Sequence, residues 1–414
     1  MKRRILSLGA LLLLSGCGTI GQAAPSSVPE TSVQSLPAPT QPASAQPTQQ
    51  PTREAVRTEA SAMQSGPVPT EPAQTEGAAE PIPAQQQPAE PMPAEPAEQR
   101  YTQAVQPPTD PPVPAPADGM DTRPPVLIGD GTLRLETGTP FDPDSQLCFG
   151  DDTDTQPRLE WAGSPDTTQP GTYPLAVTLT DAAGNTAQYT VTVQVQDSFP
   201  ASSGDPVAFG DFAARHGGEG RLVGIDVSKW QGDIDFAAVR DAGCSFVIMR
   251  IGYASGGFAT DEYYAQNMER ARAAGLRVGV YFNANGITDA QTARDAADWV
   301  AGQLSGPVDL PVGFDWESFS SFRSSGMNLT DLGNLYHTFA EELSGYGLTA
   351  MLYSSRAHLT TAWPPDTAFV WLAEYGDAPG YDGSFLLWQG SDCGRIPGIG
   401  GAVDLDVWYT DSVS

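Results

Sequence analysis

Between Leu222 and Tyr409, short runs that are apolar at nearly every position alternate with longer segments of mixed character. The runs are Leu222–Ser228, Phe246–Gly252, Arg277–Asn285, Leu310–Glu317, Thr349–Ser355, Phe369–Tyr375, Phe385–Gly390 and Val403–Tyr409. Runs without polar alternation suit strands buried on both faces, as in a parallel sheet covered by helices. Asp261–Gly275, Thr288–Leu304 and Thr330–Gly345 have the length to form those helices. Repeated strand–helix units of this kind predict an α/β barrel. The last three connections are short, and the stretch from Tyr375 to Phe385 leaves no room for a packed helix. The expectation is an irregular (β/α) barrel whose last three strands lack helices and whose final strand is free to run antiparallel. That reversal brings Asp404, at the start of the eighth strand, to the mouth where Glu317 lies.

A different pattern precedes it. Thr132–Leu135, Tyr173–Thr180 and Tyr189–Val195 alternate apolar and polar residues with period two, and Asp181-Ala182-Ala183-Gly184-Asn185 interrupts them as a turn. This predicts a small all-β sandwich over residues 122–198. Gln169-Pro170-Gly171-Thr172-Tyr173 followed by the Asp181–Asn185 turn resembles the last hairpin of bacterial immunoglobulin-like surface domains. The resemblance implies a spacer or a wall-binding module. Residues 18–121 are Pro, Ala, Gln, Thr, Ser and Glu with hardly any large apolar side chain, and such a composition cannot offset chain entropy by burial. A disordered linker is expected there, about 300 Å long if fully stretched. Residues 199–220 read as a second linker, and 221–414 as the barrel.

The first residues change where the protein is expected to act. Lys2-Arg3-Arg4, the apolar run Ile5–Leu14 and Leu14-Ser15-Gly16-Cys17 form a secretory signal too short to span a bilayer. The cysteine after Leu-Ser-Gly resembles a bacterial lipobox, which implies lipidation of Cys17 over residues 1–17 and a membrane anchor facing the cell wall. A plain signal peptide with an incidental cysteine is the alternative. The net charge of −29, from 50 acidic and 21 basic residues, argues against nucleic acid and anionic headgroups as partners. With Cys17 lipidated, Cys148, Cys244 and Cys393 leave an odd number, which excludes a dense disulfide framework. His216, His337 and His358 have no metal-ligand spacing, so neither metal nor cofactor is expected. A monomer is expected.

The run Leu310–Glu317 ends in two carboxylates. Residues i and i+2 of a strand share a face, so Asp315 and Glu317 project together, roughly 6–7 Å apart at the backbone. Hydrolysis of a glycosidic bond needs such a pair, one acid protonated to serve the leaving oxygen and one charged to stabilise a cation. Three further segments converge on the same ends: Gly224-Ile225-Asp226-Val227-Ser228-Lys229-Trp230-Gln231-Gly232, Leu387-Trp388-Gln389 and Val403-Asp404-Leu405-Asp406-Val407. With Ile234-Asp235-Phe236 and Asp315-Trp316-Glu317, these segments resemble the glycoside hydrolase family 25 lysozymes, the Chalaropsis-type muramidases, in order over nearly all of Leu222–Tyr409.

The resemblance implies cleavage of the β-1,4 bond between N-acetylmuramic acid and N-acetylglucosamine in peptidoglycan glycan strands. Carried over by position, Glu317 is the general acid. Asp315 stabilises positive charge at the anomeric carbon or on the substrate's N-acetyl group acting as nucleophile. Asp226 and Asp404 complete an acidic floor. Tyr281, Tyr353, Trp388 and Gln389 fall at groove-lining positions, and Arg250 and Tyr253 are candidates for the acetamido or lactyl groups. Trp371 and Trp299 are read as core or rim. The run Tyr281-Phe282-Asn283-Ala284-Asn285 departs from the aromatic or histidine pair common in the family; this bears on how the flanking sugar sits. The competing readings are a non-catalytic wall-binding lipoprotein and a glycosidase of chitin-like polymers.

Overall fold

The structure, a computed structural model, describes residues 120–200, 202, 204–365 and 369–410. The lipidation expected at Cys17, and all but the last two residues of the 18–121 linker, lie outside the described residues.

The period-two segments form a small β domain. Its strands are β1 (Val126–Leu127), β2 (Thr132–Glu136), β3 (Phe149–Gly150), β4 (Arg158–Ala162), β5 (Gly171–Thr180) and β6 (Thr186–Gln196), with a one-turn helix α1 (Pro143–Gln146) before β3. The main sheet runs β2-β6-β5-β4, antiparallel except for the parallel pair β2–β6, while β1 and β3 form a separate antiparallel pair. Alternation decides which face is buried: Leu175, Val177 and Leu179 of β5 join Val191, Val193 and Val195 of β6 in one core with Leu133, Leu135 and Phe149. The β5–β6 turn closes as the sequence suggested. Asp181 Oδ1 accepts the Asn185 amide at 2.8 Å, and Gly184 takes the left-handed backbone that a side chain would resist.

The C-terminal part is a closed eight-stranded barrel. Its strands are β8 (Arg221–Val227), β9 (Phe246–Ala254), β11 (Arg277–Asn283), β12 (Val312–Asp315), β13 (Ala350–Ser355), β14 (Val370–Ala373), β15 (Leu387–Arg395) and β16 (Val403–Tyr409). They are joined in that order, β8–β9 closing the ring, and a short β10 (Phe258–Thr260) folds back on β9. All neighbours from β8 through β15 are parallel, whereas β16 is antiparallel to both β15 and β8. The eighth strand is thus reversed, because the loop between Arg395 and Val403 is too short for a crossover.

Helices α3 (Phe236–Asp241), α4 (Tyr264–Ala273), α5 (Ala290–Gln303) and α6 (Leu329–Gly345) cover β9 to β13, and a six-residue α7 (Arg356–Thr361) precedes β14. Asp289 and Asn328 cap α5 and α6 by accepting the Thr292 and Asp331 amides. Residues 199–220 are not a linker. They contain β7 (Val207–Ala208), paired with β15, and α2 (Phe209–His216), whose Phe209 and Phe212 are buried against the barrel. The reason is physical: β14 to β16 bring no helices of their own, so a helix from before the first strand covers their apolar outer face.

Strand alternation sorts the side chains into two shells. Val223, Ile225, Val247, Met249, Val278, Val280, Phe314 and Leu405 pack outward under the helices. Leu222, Phe246, Ile248, Met351, Tyr353, Trp371, Leu387 and Trp408 fill the barrel. Cys244 and Cys393 are free buried thiols, not a bridge. Close approach of β8 to β9 requires Gly224, since a Cβ there would stand 2.5 Å from the Phe246 carbonyl oxygen and 2.6 Å from its ring. Gly224→Ala is expected to cost about 2–3 kcal/mol in urea unfolding; an unchanged midpoint would show that these strands can part at no cost.

Candidate active site

Because residues alternate, the acid in each strand sits one layer above the apolar filling. Asp226 follows Leu222 and Gly224 along the inner face of β8; Asp315 follows Gly313 on β12; Asp404 and Asp406 precede Trp408 on β16. Register then joins them. Asp404 pairs with Asp226 across β16–β8, Asp315 lies between Asn283 and Tyr353, and Ala373 stands beside Gln389, which in turn pairs with Asp406. Glu317 lies two residues past the end of β12, at the rim, where it is half-buried. It faces Asp315, Asp404, Asp226 and Arg250. The four acids named from the sequence therefore meet at one mouth.

Their surroundings differ, and so do their proton affinities. Burial, then the charges of Asp315, Asp404 and Asp226, holds the Glu317 carboxyl well above the usual carboxylate range. Burial pushes Asp315 up to about 7 against the opposing pull of the Asn283 hydrogen bond and the Arg250 charge. Asn283 Nδ2 donates to Asp315 Oδ2 at 3.0 Å, leaving Oδ1 with no protein partner. Asp226 is pushed up to about 6 by burial, opposed by hydrogen bonds from Gln389 and Asp406. Asp404, half-buried, is held well above its ordinary value by burial and by Asp226.

Two features were not legible in the motifs. Asp406 is wholly buried and accepts the Trp371 indole N–H at 2.8 Å. Its carboxyl is raised well above the usual range by burial, then by the charges of Asp226 and Asp404, and its Oδ2 has no hydrogen-bond partner. The other feature is the asparagine pair. Asn285 Oδ1 accepts the amides of Glu317 at 3.0 Å and Ser318 at 2.9 Å, and its Nδ2 donates to Asn283 Oδ1 at 3.2 Å. A single Asn-x-Asn at the end of β11 thus aims both acids of the Asp-x-Glu motif. Period-two spacing was the available signal in both cases: Asp404-Leu405-Asp406 and Asn283-Ala284-Asn285 repeat the logic of Asp315-Trp316-Glu317.

The aromatic and polar candidates divide. Gln389 Nε2 donates to Asp226 Oδ2 at 2.7 Å, while its Oε1 accepts the Tyr353 hydroxyl at 2.8 Å and the Tyr375 hydroxyl at 3.1 Å. Gln389 and Tyr353 therefore orient Asp226, and Tyr375 joins them. Tyr281 is half-buried with its ring edge-on to Trp371, and the glycine opposite it, Gly313, makes room for it. Arg250 pairs with the buried Asp261 at 2.6 Å and lies over the half-buried Tyr253 ring at 5.7 Å, so its charge stands beside the acids. Trp388 is a correction. It is buried on the outer face of β15, bonded through its indole N–H to the Glu374 carbonyl at 2.7 Å and packed on Phe212 and His216. Its neighbour Gln389 takes the inner face, and two successive strand residues cannot both do so. Trp371 lies in the barrel interior, and Trp299 packs against Phe258 and Phe282.

Residues 225–399 match the model for glycosyl hydrolases family 25, and residues 125–195 match that for the bacterial surface protein Ig-like domain. The barrel is a family 25 glycosyl hydrolase domain, and the β domain before it is a bacterial immunoglobulin-like surface domain. The chain is 29% identical over 192 residues to the autolytic lysozyme of Clostridium acetobutylicum, covering 45% of this chain and 55% of that one. It is 29% identical over 198 residues to lysozyme M1 of Streptomyces globisporus, covering 44% and 66%. The chain thus spans little more than half the length of the first relative and about two thirds of the second. The crystal structure of the bacterial lysozyme from Streptomyces coelicolor aligns with 45% of this chain and 90% of its own, at 25% identity and a TM-score of 0.39.

The raised acids carry a stability cost of definite sign. Between the unfolded value near 4 and the folded value of about 7, folded Asp315 holds a proton that the unfolded chain has released. Stability therefore falls as pH rises through that window. Asp315→Asn is expected to melt above the parent protein at pH 8, each kcal/mol being worth roughly 2–4 °C, and the gap should close toward pH 4. A variant that melts below the parent at pH 8 would contradict the burial of an ionising group at this position.

Proposed function

We propose that the protein hydrolyses peptidoglycan by cutting the β-1,4 bond between N-acetylmuramic acid and N-acetylglucosamine. The observation that carries this reading is the pair Asp315 and Glu317, crowded with Asp226 and Asp404 at one end of the barrel inside a family 25 domain. The relatives' names, autolytic lysozyme and lysozyme M1, support it.

In this reading Glu317 is the general acid. Half-buried beside three acids, it retains its proton at neutral pH and delivers it to the departing sugar oxygen. Asp315 supplies the negative charge. Its Oδ2 is held by Asn283, and Oδ1 is left to face the positive charge that develops at the anomeric carbon or on the acetamido group. Asp226, held by Gln389, keeps the field negative without moving. Arg250, Tyr253 and Tyr281 are assigned to the sugar substituents. No step calls for a metal or cofactor.

The working form has Asp315 ionised and Glu317 protonated. Turnover should rise as pH climbs through about 7, where Asp315 loses its proton, and fall once Glu317 loses its own. Glu317→Gln is expected to lower reducing-end release from purified peptidoglycan by about 10³-fold while leaving sedimentation with insoluble wall unchanged. Unaltered turnover would remove Glu317 from its role. Wall binding with no reducing ends at any pH would favour a non-catalytic adhesin, and fragments ending in N-acetylglucosamine would point to the other bond.

We also propose an extracytoplasmic site of action, with the lipobox-like Leu14-Ser15-Gly16-Cys17 as its membrane anchor, partner to the glycan strand at the other end of the chain. Cys17→Ala expressed in a bacterial host should move the protein from the membrane pellet to the soluble exported fraction. Equal partition of both forms would argue for a plain signal peptide.

A further inference from the structure

Away from the barrel mouth, the loop that follows β3 gathers carboxylates at the edge of the immunoglobulin-like domain. Asp121, Asp151 and Asp152 each offer an oxygen within 4.8 Å of the others, and among the described residues no other trio of such side chains is so close. Asp151 is 1% exposed. Its Oδ1 accepts the amides of Thr153 at 2.9 Å and Asp154 at 2.7 Å, while the Thr153 hydroxyl donates to Asp121 Oδ2 at 2.6 Å. Asp151 Oδ2 has no hydrogen-bond partner, and neither does the buried Oδ1 of Asp152. Two desolvated carboxylate oxygens without donors are costly unless a cation meets them.

The neighbouring groups do not supply that cation. Arg123 reaches Asp152 Oδ2 at 3.1 Å, but its side chain is 57% exposed and it leaves both orphan oxygens untouched. Asp121 only adds negative charge. The N-terminus of α6 lies close by, yet the loop meets it with backbone carbonyls. Asp151 O accepts the Leu329 amide at 2.8 Å, Asp152 O the Thr330 hydroxyl at 2.6 Å and Thr153 O the Asn328 amide group at 3.0 Å. The carboxylates are left facing one another, away from that helix's donors. The direction of the Asp151 shift agrees: burial, opposed by its two amides, and the charges of Asp121 and Asp152 raise it.

We propose that Asp121, Asp151 and Asp152 form a calcium site at the junction between the immunoglobulin-like domain and the barrel. An all-oxygen set of carboxylates with a hydroxyl nearby suits a hard divalent cation, and an irregular loop suits calcium, which tolerates variable geometry, better than magnesium. The same loop welds the two domains through its three carbonyl contacts to α6. Bound calcium therefore stiffens the joint and fixes how the barrel mouth is presented beyond the β domain. This inference does not depend on the proposed hydrolase activity.

The test is calorimetric titration of calcium chloride into the full chain after treatment with chelator, alongside thermal melting. One calcium is expected to bind with a Kd of about 10⁻⁴–10⁻³ M and to raise the melting temperature. Asp151→Asn and Asp152→Asn, tested separately so that either can stand in if the other fails to fold, should each weaken binding by about 10-fold. Arg123→Ala, which removes a competing positive charge, should tighten it. Magnesium at the same concentration should give a smaller shift. No saturable heat up to about 10 mM calcium, ten times the weakest Kd expected, overturns the site. So does calcium binding that survives intact in the folded Asp151→Asn/Asp152→Asn double variant, since it would then lie elsewhere.

Discussion

The architecture depends on keeping several carboxyl groups out of water at one end of a closed barrel. Burying charge is expensive, and the protein answers by keeping part of it neutral. Asp406, at the deepest level, and Glu317, at the rim, are both raised well above the usual carboxylate range, by burial first and then by the acids around them. The residual charge is distributed over Asp226 and Asp315, each clasped by an amide, from Gln389 and Asn283 respectively. The repulsion that destabilises the cluster is the same repulsion that adds to burial in raising the Glu317 carboxyl. Stability and chemistry are opposite faces of one electrostatic term.

Closure of the sheet makes that cluster possible. Because β16 runs antiparallel between β15 and β8, its first residues reach the end of the barrel where the parallel strands finish. An all-parallel eighth strand would have carried Asp404 and Asp406 to the opposite end. The reversal also removes the need for covering helices on the last strands, and α2 fills the outer face instead, with Phe212 and His216 against Trp388. The packing that excludes Trp388 from the mouth is what holds Gln389 in it.

The immunoglobulin-like domain is joined to the barrel by more than chain connectivity. Gly150 lies against Phe322 and Leu329, Arg323 lies over the Phe149 ring at 4.2 Å, and the loop carbonyls of Asp151, Asp152 and Thr153 are bonded to the start of α6. Phe319 and Phe322, on the segment that follows Glu317, pack between this joint and the barrel core. The chain that leaves the candidate general acid is thus the chain that meets the β domain, a direct physical link between that domain and the barrel mouth.

The sequence by itself determined the order of strands, the room for the last one to reverse and the four acids of the mouth, because i, i+2 spacing is a local property and a short connection forbids a parallel crossover. It also determined the β5–β6 turn, through Asp181 and Gly184. Only the tertiary structure decided how strongly each acid is raised, since burial and the distance between carboxylates on β8, β12 and β16 are set by closure of the ring and not by any one segment. For the same reason it decided that α2 belongs to the barrel, that Trp388 faces outward, and that Asn283 and Asn285 aim the Asp-x-Glu pair. Each of these depends on which neighbour a side chain meets, and neighbours in a barrel come from residues far apart in the chain.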